Sequence, residues 1–193
     1  PHVWTCRDVD GSTLYFKTLN NTGIERNNVR LQNELHQQFQ AAGVRVPELK
    51  GYVVTATEEG SDPKEILVTA AIPEGRTLQQ ELDTRRANGQ AYSPAELQSF
   101  IQDATEQIEL AHSAGLYHRD LDFRNVMLDQ NGKVVLVDFG LAKKVSGSDE
   151  EHQIYQENTF EKGRRVAARY IRDDDFIGKF SKKVQELGLL KKP

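Results

Sequence analysis

The sequence has few of the residues that form disulfides, bind zinc or span membranes. Its 193 residues include one cysteine, Cys6, one methionine and one tryptophan. A single cysteine excludes an internal disulfide framework and fits a reducing compartment, so we expect a cytoplasmic protein. The chain has no CxxC pair and no His and Cys residues at zinc-ligand spacing. It also has no apolar run of the roughly 18 to 20 residues that a membrane-spanning helix needs, which argues against a membrane partner.

The charge is unevenly distributed along a chain of ordinary composition. Apolar residues make up 37% and charged residues 28%, with a net charge of −4, which is typical of a globular protein of one or two small lobes. Residues 161–193 carry ten Lys and Arg against five Asp and Glu, while residues 1–160 carry fifteen against twenty-four. This basic tail (161–193) either binds an acidic partner or nucleic acid, or forms an amphipathic helix with a solvated face. The helix is the preferred interpretation.

The first third of the chain predicts strands around one helix. Two β-rich runs joined at Val9-Asp10-Gly11 predict a hairpin, and two further runs flank the polar loop EEGSDP. Between the two pairs, Leu31, Leu35 and Phe39 recur every four residues, as on one face of a helix. Pro73-Glu74-Gly75 then breaks the pattern and predicts a linker between two lobes.

The clearest helix signal follows that linker. Ser93 suits the N-cap, Pro94 the first helical position and Glu96 the capping-box position. Apolar residues from Leu97 onward make one buried face, and Gly115 is a natural stop. Beyond it, VML and VVLV flank Asp-Gln-Asn-Gly, which predicts a second hairpin.

Three polar side chains flank this second hairpin, in the stretch HRDLDFRNVMLDQNGKVVLVDFGLAK. Asp120 and Asn125 lie on the loop before the hairpin, and Asp138 lies just after it. A tight hairpin brings the two loops together, so the three side chains can converge on one small volume. Oxygen ligands at one point suit a hard cation that bridges phosphate oxygens.

This stretch resembles the protein kinases. HRDLDFRN matches their catalytic loop and VDFGLAK their metal-binding motif, with the asparagine five residues after the first aspartate and the second aspartate thirteen further on. The resemblance implies that Asp120 orients the acceptor hydroxyl and accepts its proton, and that Asn125 and Asp138 hold magnesium ions. It therefore implies ATP and Mg²⁺ as cofactors. His118 is expected to be a packing and hydrogen-bonding residue of the core.

The resemblance extends to residues on either side of the motif. Lys17 in LYFKTL occupies the place of the strand lysine that grips the nucleotide phosphates, and Glu34 is the best candidate for its partner on the helix. Arg124 either neutralises the transferring phosphate or forms a surface ion pair. Asp122 stands where serine/threonine kinases usually carry lysine, so this loop does not decide the acceptor type.

A nucleotide pocket is expected around EILVTAAIPEGRTL, which resembles the kinase hinge; a plain strand and turn is the alternative. Thr69 would then lie at the back of the adenine pocket, and the next three residues would offer backbone groups to the adenine edge. The other residues implied to bind the nucleotide are Val3, Ala70, Ala71, Ile72 and Met127.

Three features depart from the family pattern. No glycine-rich loop is present, and Val3 lies where the valine ending that motif belongs, so we expect the loop to precede Pro1. Tyr15 falls where a small residue normally contacts adenine, and an inward tyrosine would crowd the pocket. Only 53 residues follow Gly140, without an APE motif.

The short C-terminal part resembles the minimal kinases: the RIO type, the kinases of the tRNA-modifying complex, and bacterial effector kinases, which would place the chain in a host cytosol. Asp149 is interpreted either as the N-cap of a helix beginning near Glu150 or as the aspartate that braces the HRD loop.

The sequence therefore predicts an α+β, two-lobed protein-kinase-like fold. A small lobe of antiparallel sheet and one helix is expected at residues 1–72, and a reduced, mainly helical large lobe at 73–193. The expected function is transfer of the γ-phosphoryl group of Mg-ATP to a Ser, Thr or Tyr hydroxyl of a protein substrate. One alternative is a nucleotide-binding pseudokinase scaffold or ATPase module, which Tyr15 and the missing glycine loop favour. The other is a small-molecule kinase, against which Arg119 and the short tail count.

Overall fold

Four antiparallel strands and one helix form the first part of the molecule. The structure is a computed structural model that describes residues 2–18, 28–55, 64–145, 173 and 175–191. The sheet has the strand order β1-β2-β4-β3. Its strands are β1 (His2–Arg7), β2 (Thr13–Thr18), β3 (Leu49–Thr55) and β4 (Lys64–Ala70). Val3 pairs with Lys17 and Tyr15 with Thr69, so these four side chains share one face of the sheet.

Helix α1 (Val29–Ala41) packs against β3 and β4. Asn28 caps it, with its side-chain oxygen accepting the Leu31 N–H at 2.7 Å. The predicted apolar face is only partly correct, because Leu31 is 39% exposed. Burial follows the helical repeat of about 3.6 residues and includes two polar residues. The buried residues are Val29, Gln32, Leu35, His36 and Phe39.

Two helices follow the linker. The described helices here are α2 (Leu78–Ala87) and α3 (Pro94–Ser113). The capping box of Ser93 and Glu96 is present as predicted, with Pro94 at the start of α3. The sequence reasoning did not predict α2, which is capped in the same way by Thr77 and Gln80.

Short strands position the two loops of the HRD–DFG stretch. The predicted second hairpin is confirmed as β7 (Val126–Leu128) and β8 (Val134–Leu136), with β5 (Arg76–Thr77) alongside β7. A separate pair joins β6 (Leu116–Tyr117) to β9 (Lys143–Lys144). Beyond the hairpin, the Val137 N–H donates to the Asn125 carbonyl at 3.0 Å. The loops before β7 and after β8 therefore lie side by side.

Helix α4 (Asp175–Glu186) lies within the basic tail and packs on α3. Phe176, Phe180 and Val184 are its buried residues. The ring centroids of Phe100 and Phe180 are 4.2 Å apart. The interpretation of the tail as an amphipathic helix is thus confirmed for these residues. Among the described residues, no helix is long and apolar enough to cross a membrane.

One core runs from α1 through the helical part. The most buried large apolar side chains are Phe39, Leu78, Leu82, Leu116, Leu121, Leu136, Phe176 and Phe180. The chain thus has the α+β architecture expected from the sequence.

Candidate active site

The loop that carries Asp120 is held by a distant aspartate. The carboxylate of Asp173, which is 6% exposed, accepts the His118 N–H at 2.7 Å and the Arg119 N–H at 2.8 Å. Arg119 has a φ of 66°, a left-handed conformation that an arginine adopts only when its surroundings hold it there. Asp173 is therefore the brace of the HRD loop.

Asp173 fills the brace role, which was one of the two roles considered for Asp149. That residue and the helix expected near Glu150 lie outside the described residues, whereas Asp173 makes both backbone contacts. Asp173 is the first of three consecutive aspartates in the sequence. His112 Nε2 lies 3.2 Å from the same carboxylate and ties α3 to the loop.

His118 is a core residue, as predicted. It is 1% exposed, and its Nε2 donates to the Val137 carbonyl at 2.9 Å. Its ring centroid lies 5.3 Å from that of Phe139, which in turn lies 5.2 Å from His36 on α1. These contacts connect helix α1, the DFG phenylalanine and the HRD loop through one column of rings.

Asp120 and Asn125 are brought together on the loop. The Asn125 Nδ2 donates to the Asp120 carbonyl at 2.8 Å and to its Oδ2 at 3.1 Å. Burial raises the pKa of Asp120, and the negative charges of Asp122 and Asp138 raise it further against the lowering effect of the Asn125 hydrogen bond. A carboxylate with a raised pKa is a better proton acceptor than an ordinary aspartate.

Arg124 forms an ion pair with Asp122 on the same loop. Its Nε and Nη2 donate to Asp122 Oδ2 at 3.0 and 2.6 Å. Asp122 Oδ1 also accepts the backbone N–H groups of Arg124 and Asn125. The ion pair is one of the two roles considered for Arg124, and Arg124 also lines the cavity that contains Lys17.

Lys17 meets Asp138 across the gap between the sheet and the second loop. Its Nζ lies 2.5 Å from Asp138 Oδ1, which also accepts the Gly140 N–H at 3.1 Å. Burial alone would raise the pKa of Asp138, but the charge and hydrogen bond of Lys17 outweigh it and lower the pKa. Asp138 has a φ of 65°, and a Cβ on Gly140 would come within 3.0 Å of its carboxylate. Glycine therefore permits the close approach of this turn.

Glu34 is not brought to Lys17. Its carboxylate bonds to Arg30 Nε at 3.2 Å, and its side chain is 47% exposed. Gln32, two residues earlier and therefore about 200° away around the helix, is 2% exposed and lines the cavity that contains Lys17. The Gln32 Nε2 is 3.8 Å from the position of a Cβ on Gly140. Helix α1 thus presents an amide at the site.

A cavity of about 440 Å³ lies between the sheet and the two loops. Lys17, Asn125 and Asp138 line it together, whereas Glu34 and Ala71 do not. Tyr15 also lines it, and this residue is 41% exposed. The other expected nucleotide-site residues that line the cavity are Val3, Thr69, Ala70, Ile72 and Met127.

The segment expected to be the hinge uses two of its N–H groups internally. The Ala70 N–H donates to the Glu48 carbonyl and the Ala71 N–H to the Thr13 carbonyl, each at 2.8 Å. The Ile72 carbonyl accepts the Gly75 N–H at 2.9 Å, which closes the turn after β4. In this arrangement neither alanine N–H is available to a ligand.

Sequence reasoning missed Asp173, Gln32 and His36. Asp173 belongs to no local motif, and no spacing rule connects it to Asp120, 53 residues earlier in the chain. Gln32 and His36 could have been found by extending the helical face of Leu35 and Phe39 to its polar members. Among the described residues, no group of three His, Cys, Asp or Glu is placed to hold a metal ion.

The fold and the loop geometry define a protein-kinase-like domain, and comparison with known families agrees. The family model described as "Protein kinase domain" matches residues 2–170. The chain therefore belongs to the protein kinase family.

Individual relatives are similar over parts of their length. A Caenorhabditis elegans ribosomal protein S6 kinase alpha-1 is 24% identical over 155 residues, which is 78% of this chain and 17% of that protein. The serine/threonine-protein kinase PknB of Lactococcus lactis is 26% identical over 140 residues, covering 72% of this chain and 20% of that protein. A cell division protein kinase of Encephalitozoon cuniculi is 36% identical over 61 residues, 32% of this chain and 20% of that protein. The chain spans about a fifth of the length of these relatives.

Proposed function

We propose that the chain transfers the γ-phosphoryl group of ATP to a Ser, Thr or Tyr hydroxyl of a protein. The observation that carries this proposal is the meeting of Lys17 and Asp138 at 2.5 Å in a cavity that Asn125 also lines. Asp120 is hydrogen-bonded to the same asparagine. A cation, a carboxylate and an amide beside a second carboxylate of raised pKa are the groups that phosphoryl transfer uses.

The oxygen atoms of Asn125 and Asp138 fit a magnesium ion. The Asn125 Nδ2 donates to Asp120, which leaves the amide oxygen for a ligand. Asp138 Oδ1 already accepts from Lys17 and Gly140, so we assign the metal to its Oδ2. Carboxylate and amide oxygens are suitable ligands for hard cations. Bound Mg²⁺ would neutralise phosphate charge at this point.

Lys17 is proposed to hold the nucleotide phosphates. It is the cationic side chain on the sheet face that lines the cavity, and its partner there is Asp138. A phosphate group would compete for the same ammonium, so nucleotide binding and the Lys17–Asp138 contact are coupled. The cavity volume of about 440 Å³ lies within the range of small-molecule sites, roughly 300–1,000 Å³.

Asp120 is proposed to accept the proton of the acceptor hydroxyl. Its raised pKa favours proton acceptance, and the hydrogen bond from Asn125 fixes its orientation. Asp173 positions the loop through its backbone and does not touch the reacting atoms.

The two lobes are proposed to meet at Ile72 and Pro73, with the small lobe at 1–72 and the large lobe at 73–193. The sheet and α1 precede this point, and α2, α3 and α4 follow it. The cavity lies between elements from both sides. We also propose a cytosolic location, which the single exposed Cys6 supports because a reducing compartment keeps such a thiol free.

A nucleotide-binding scaffold is the second candidate. Two observations favour it: Tyr15 lines the cavity, and α1 presents Gln32 rather than a carboxylate near Lys17. The names of the relatives favour the catalytic candidate, since all three are kinases. None of these observations favours the alternative of a small-molecule kinase.

Metal-dependent nucleotide binding tests the site. Ligand at about a hundredfold its Kd stabilises the folded state by about 2.7 kcal/mol, which for a chain of this size raises the Tm by roughly 5–10 °C. We expect ATP with Mg²⁺ to raise the Tm of the wild type by this amount and to raise that of Asp138→Ala much less. Thermal denaturation with ATP, in Mg²⁺ and in EDTA, measures the difference.

Two further variants control this experiment. Asp138→Asn keeps the side-chain shape and should lose the magnesium dependence as Asp138→Ala does. Asp83→Asn, an exposed acid on α2, should respond as the wild type does. An equal magnesium-dependent shift in the wild type and both Asp138 variants would remove Asp138 from the metal site.

A further inference from the structure

A second cavity lies on the other side of the catalytic loop, against helix α4. Its volume is about 270 Å³, and Leu121, Asp122 and Phe123 form one wall. These residues follow Asp120 directly in the chain. We call this cavity the loop–α4 groove. It shares none of its lining residues with the cavity that contains Lys17.

The floor of the loop–α4 groove is apolar. Leu121 and Phe176 are each 1% exposed, and Phe123 is half-buried. The rings of Phe123 and Phe176 meet edge to face, with centroids 6.1 Å apart. This contact fixes the first turn of α4 against the catalytic loop.

The rim of the groove on α4 is cationic. Lys179, Lys182 and Lys183 follow a spacing of three and four residues, so they share one face of the helix. Lys182 and Lys183 have Glu186 as a common partner at 3.9 and 3.8 Å. Within the described part of the chain, no carboxylate lies within 4.0 Å of the Lys179 ammonium. The charged residues of α4 that line the groove are thus three lysines and one glutamate.

The acid on the loop wall does not balance this charge. Asp122 is 19% exposed in its side chain and accepts two hydrogen bonds from the Arg124 guanidinium. It also accepts the N–H groups of Arg124 and Asn125. Since Asp122 is paired with the Arg124 guanidinium, the three lysines of the groove exceed the acids that line it.

We propose that the loop–α4 groove binds an acidic side chain, Asp or Glu, of the protein substrate. This inference rests on the proposed function, because it places the groove beside the acceptor hydroxyl. The wall of the groove begins at Leu121, directly after Asp120, and three residues of extended chain span about 10 Å, so we place the acidic residue within a few positions of the acceptor. The apolar floor accommodates the stem of that side chain, and Lys179 pairs with its carboxylate.

A peptide suits the groove better than a nucleic acid does. Residues 1–160 carry fifteen Lys and Arg against twenty-four Asp and Glu, and this negative body repels a polyanion. A single carboxylate needs only the local field of the three lysines. Binding of nucleic acid is therefore an outcome that the experiment has to distinguish.

The binding test uses two fluorescein-labelled peptides around one serine, identical except that Asp and Glu on both flanks are replaced by Asn and Gln in the second. Anisotropy titrations without nucleotide give the Kd of each for the wild type. We expect the acidic peptide to bind about tenfold more tightly. Lys179→Glu should weaken it at least fivefold, since an exposed ion pair contributes up to about fivefold and reversal adds repulsion. Lys179→Arg should keep the affinity.

Lys64→Glu is the matched control, because Lys64 is an exposed lysine on β4 in the other lobe. It makes the same change of net charge and should leave the acidic-peptide Kd as in the wild type. Equal affinity for the two peptides, or equal losses in Lys64→Glu and Lys179→Glu, would overturn the proposal. So would a single-stranded oligonucleotide that displaces the acidic peptide at a lower concentration than unlabelled peptide does.

The same peptides separate this inference from the proposed function. If the wild type phosphorylates neither peptide but the Lys179-dependent binding is present, the groove stands and the proposed function fails. If both peptides are phosphorylated with equal KM and bound with equal affinity, the proposed function stands and the groove fails. Where both hold, Lys179→Glu should raise the KM for the acidic peptide at least fivefold.

Discussion

Asp120 and Asp138 are two aspartates of one site whose pKa values move in opposite directions. Burial and the neighbouring negative charge of Asp122 raise the pKa of Asp120. Burial acts on Asp138 as well, but the Lys17 ammonium at 2.5 Å outweighs it and lowers the pKa. Such a separation divides the roles of the two carboxylates. One is suited to accept a proton, and the other remains ionised and is suited to hold a cation.

The pH dependence of phosphoryl transfer tests the role of Asp120. A proton acceptor works only when it is deprotonated, so kcat/KM should rise with pH through the Asp120 pKa. Because that pKa is raised, the rising limb of the profile of kcat/KM against pH should lie above the ordinary aspartate value of 3.8. Asp122→Asn removes the second largest cause of the shift and should move the limb to lower pH. Profiles of kcat/KM against pH for the wild type and the variant measure this displacement.

Arg124→Gln serves as the comparison, since Asp122→Asn also releases the Arg124 guanidinium. Loss of that cation alone cannot lower the pKa of a nearby carboxyl group. A limb that stays in place in Asp122→Asn, or that moves to lower pH equally in Arg124→Gln, would contradict the assignment of Asp120.

At the level of single residues, the motif predicted the site better than the helix pattern did. Asn125 and Asp138 line one cavity, as the spacing of the motif implies, and Lys17, which the kinase resemblance indicates, lines it as well. Glu34 is the helix acid that the resemblance indicates, and the structure puts it on the exposed side of α1. The register of α1 against the sheet decides that Gln32 faces the cavity, and tertiary packing sets this register. Composition alone contains no such information.

Among the elements, helix α3 has the most complete local signal. Ser93 Oγ accepts the Glu96 N–H at 3.2 Å, and the Ser93 N–H donates to Glu96 Oε2 at 2.7 Å. Hydrogen bonds from the side chain and backbone of Ser93 lower the pKa of Glu96 to about 2. The cap can therefore be tested by titration.

Glu96→Gln should destabilise the chain in a pH-dependent way. A lowered pKa means that the charged form stabilises the fold fully above the ordinary glutamate pKa of 4.5, and that this stabilisation is lost as pH falls through about 2. The side chain is 48% exposed, so we expect only about 1 kcal/mol at pH 7. Urea denaturation at pH 7, 5 and 3 should show a gap in the free energy of unfolding between the wild type and Glu96→Gln that narrows as the pH falls.

Glu106→Gln, on the exposed side of the same helix, controls for the loss of one charge. A gap for Glu96→Gln that is constant between pH 7 and 3, or no larger than that for Glu106→Gln, would mean that the charge of Glu96 does not stabilise the cap of α3.

The elements that the sequence predicted are those with strong local signals. Both hairpins and α3 have turn or capping residues at fixed positions, and the structure contains all three. Helix α2 was missed because Leu78 and Leu82 are its only buried apolar residues, too few for a periodic face. Its capping box, Thr77 and Gln80, was the available signal.

The whole molecule is organised around the junction of its two parts. Arg45, in the segment after α1, donates its Nε to the Val134 carbonyl at 2.8 Å and pairs its Nη2 with Asp103 on α3 at 2.5 Å. The Arg45 N–H donates to Gln107 Oε1 at 2.7 Å. These bonds tie the sheet-and-helix part to α3 and β8, so Lys17 and Asp120 belong to one assembled site. The kinase resemblance predicted this architecture, but a brace from Asp173 could not be read from local sequence.

Phosphoryl transfer by Asp120→Asn tests the central claim most directly. The assay is autophosphorylation and phosphorylation of a generic protein acceptor with Mg-ATP, alongside ATP affinity and the folded state of each variant. We expect a fall in turnover of roughly 10² to 10⁴-fold with ATP affinity and fold nearly unchanged, because this carboxylate acts on the acceptor hydroxyl. Lys17→Ala should lower both transfer and ATP affinity, since its charge acts on the phosphates. A fall of less than about threefold for Asp120→Asn, with the wild type clearly active, would contradict the assignment of Asp120 as the proton acceptor.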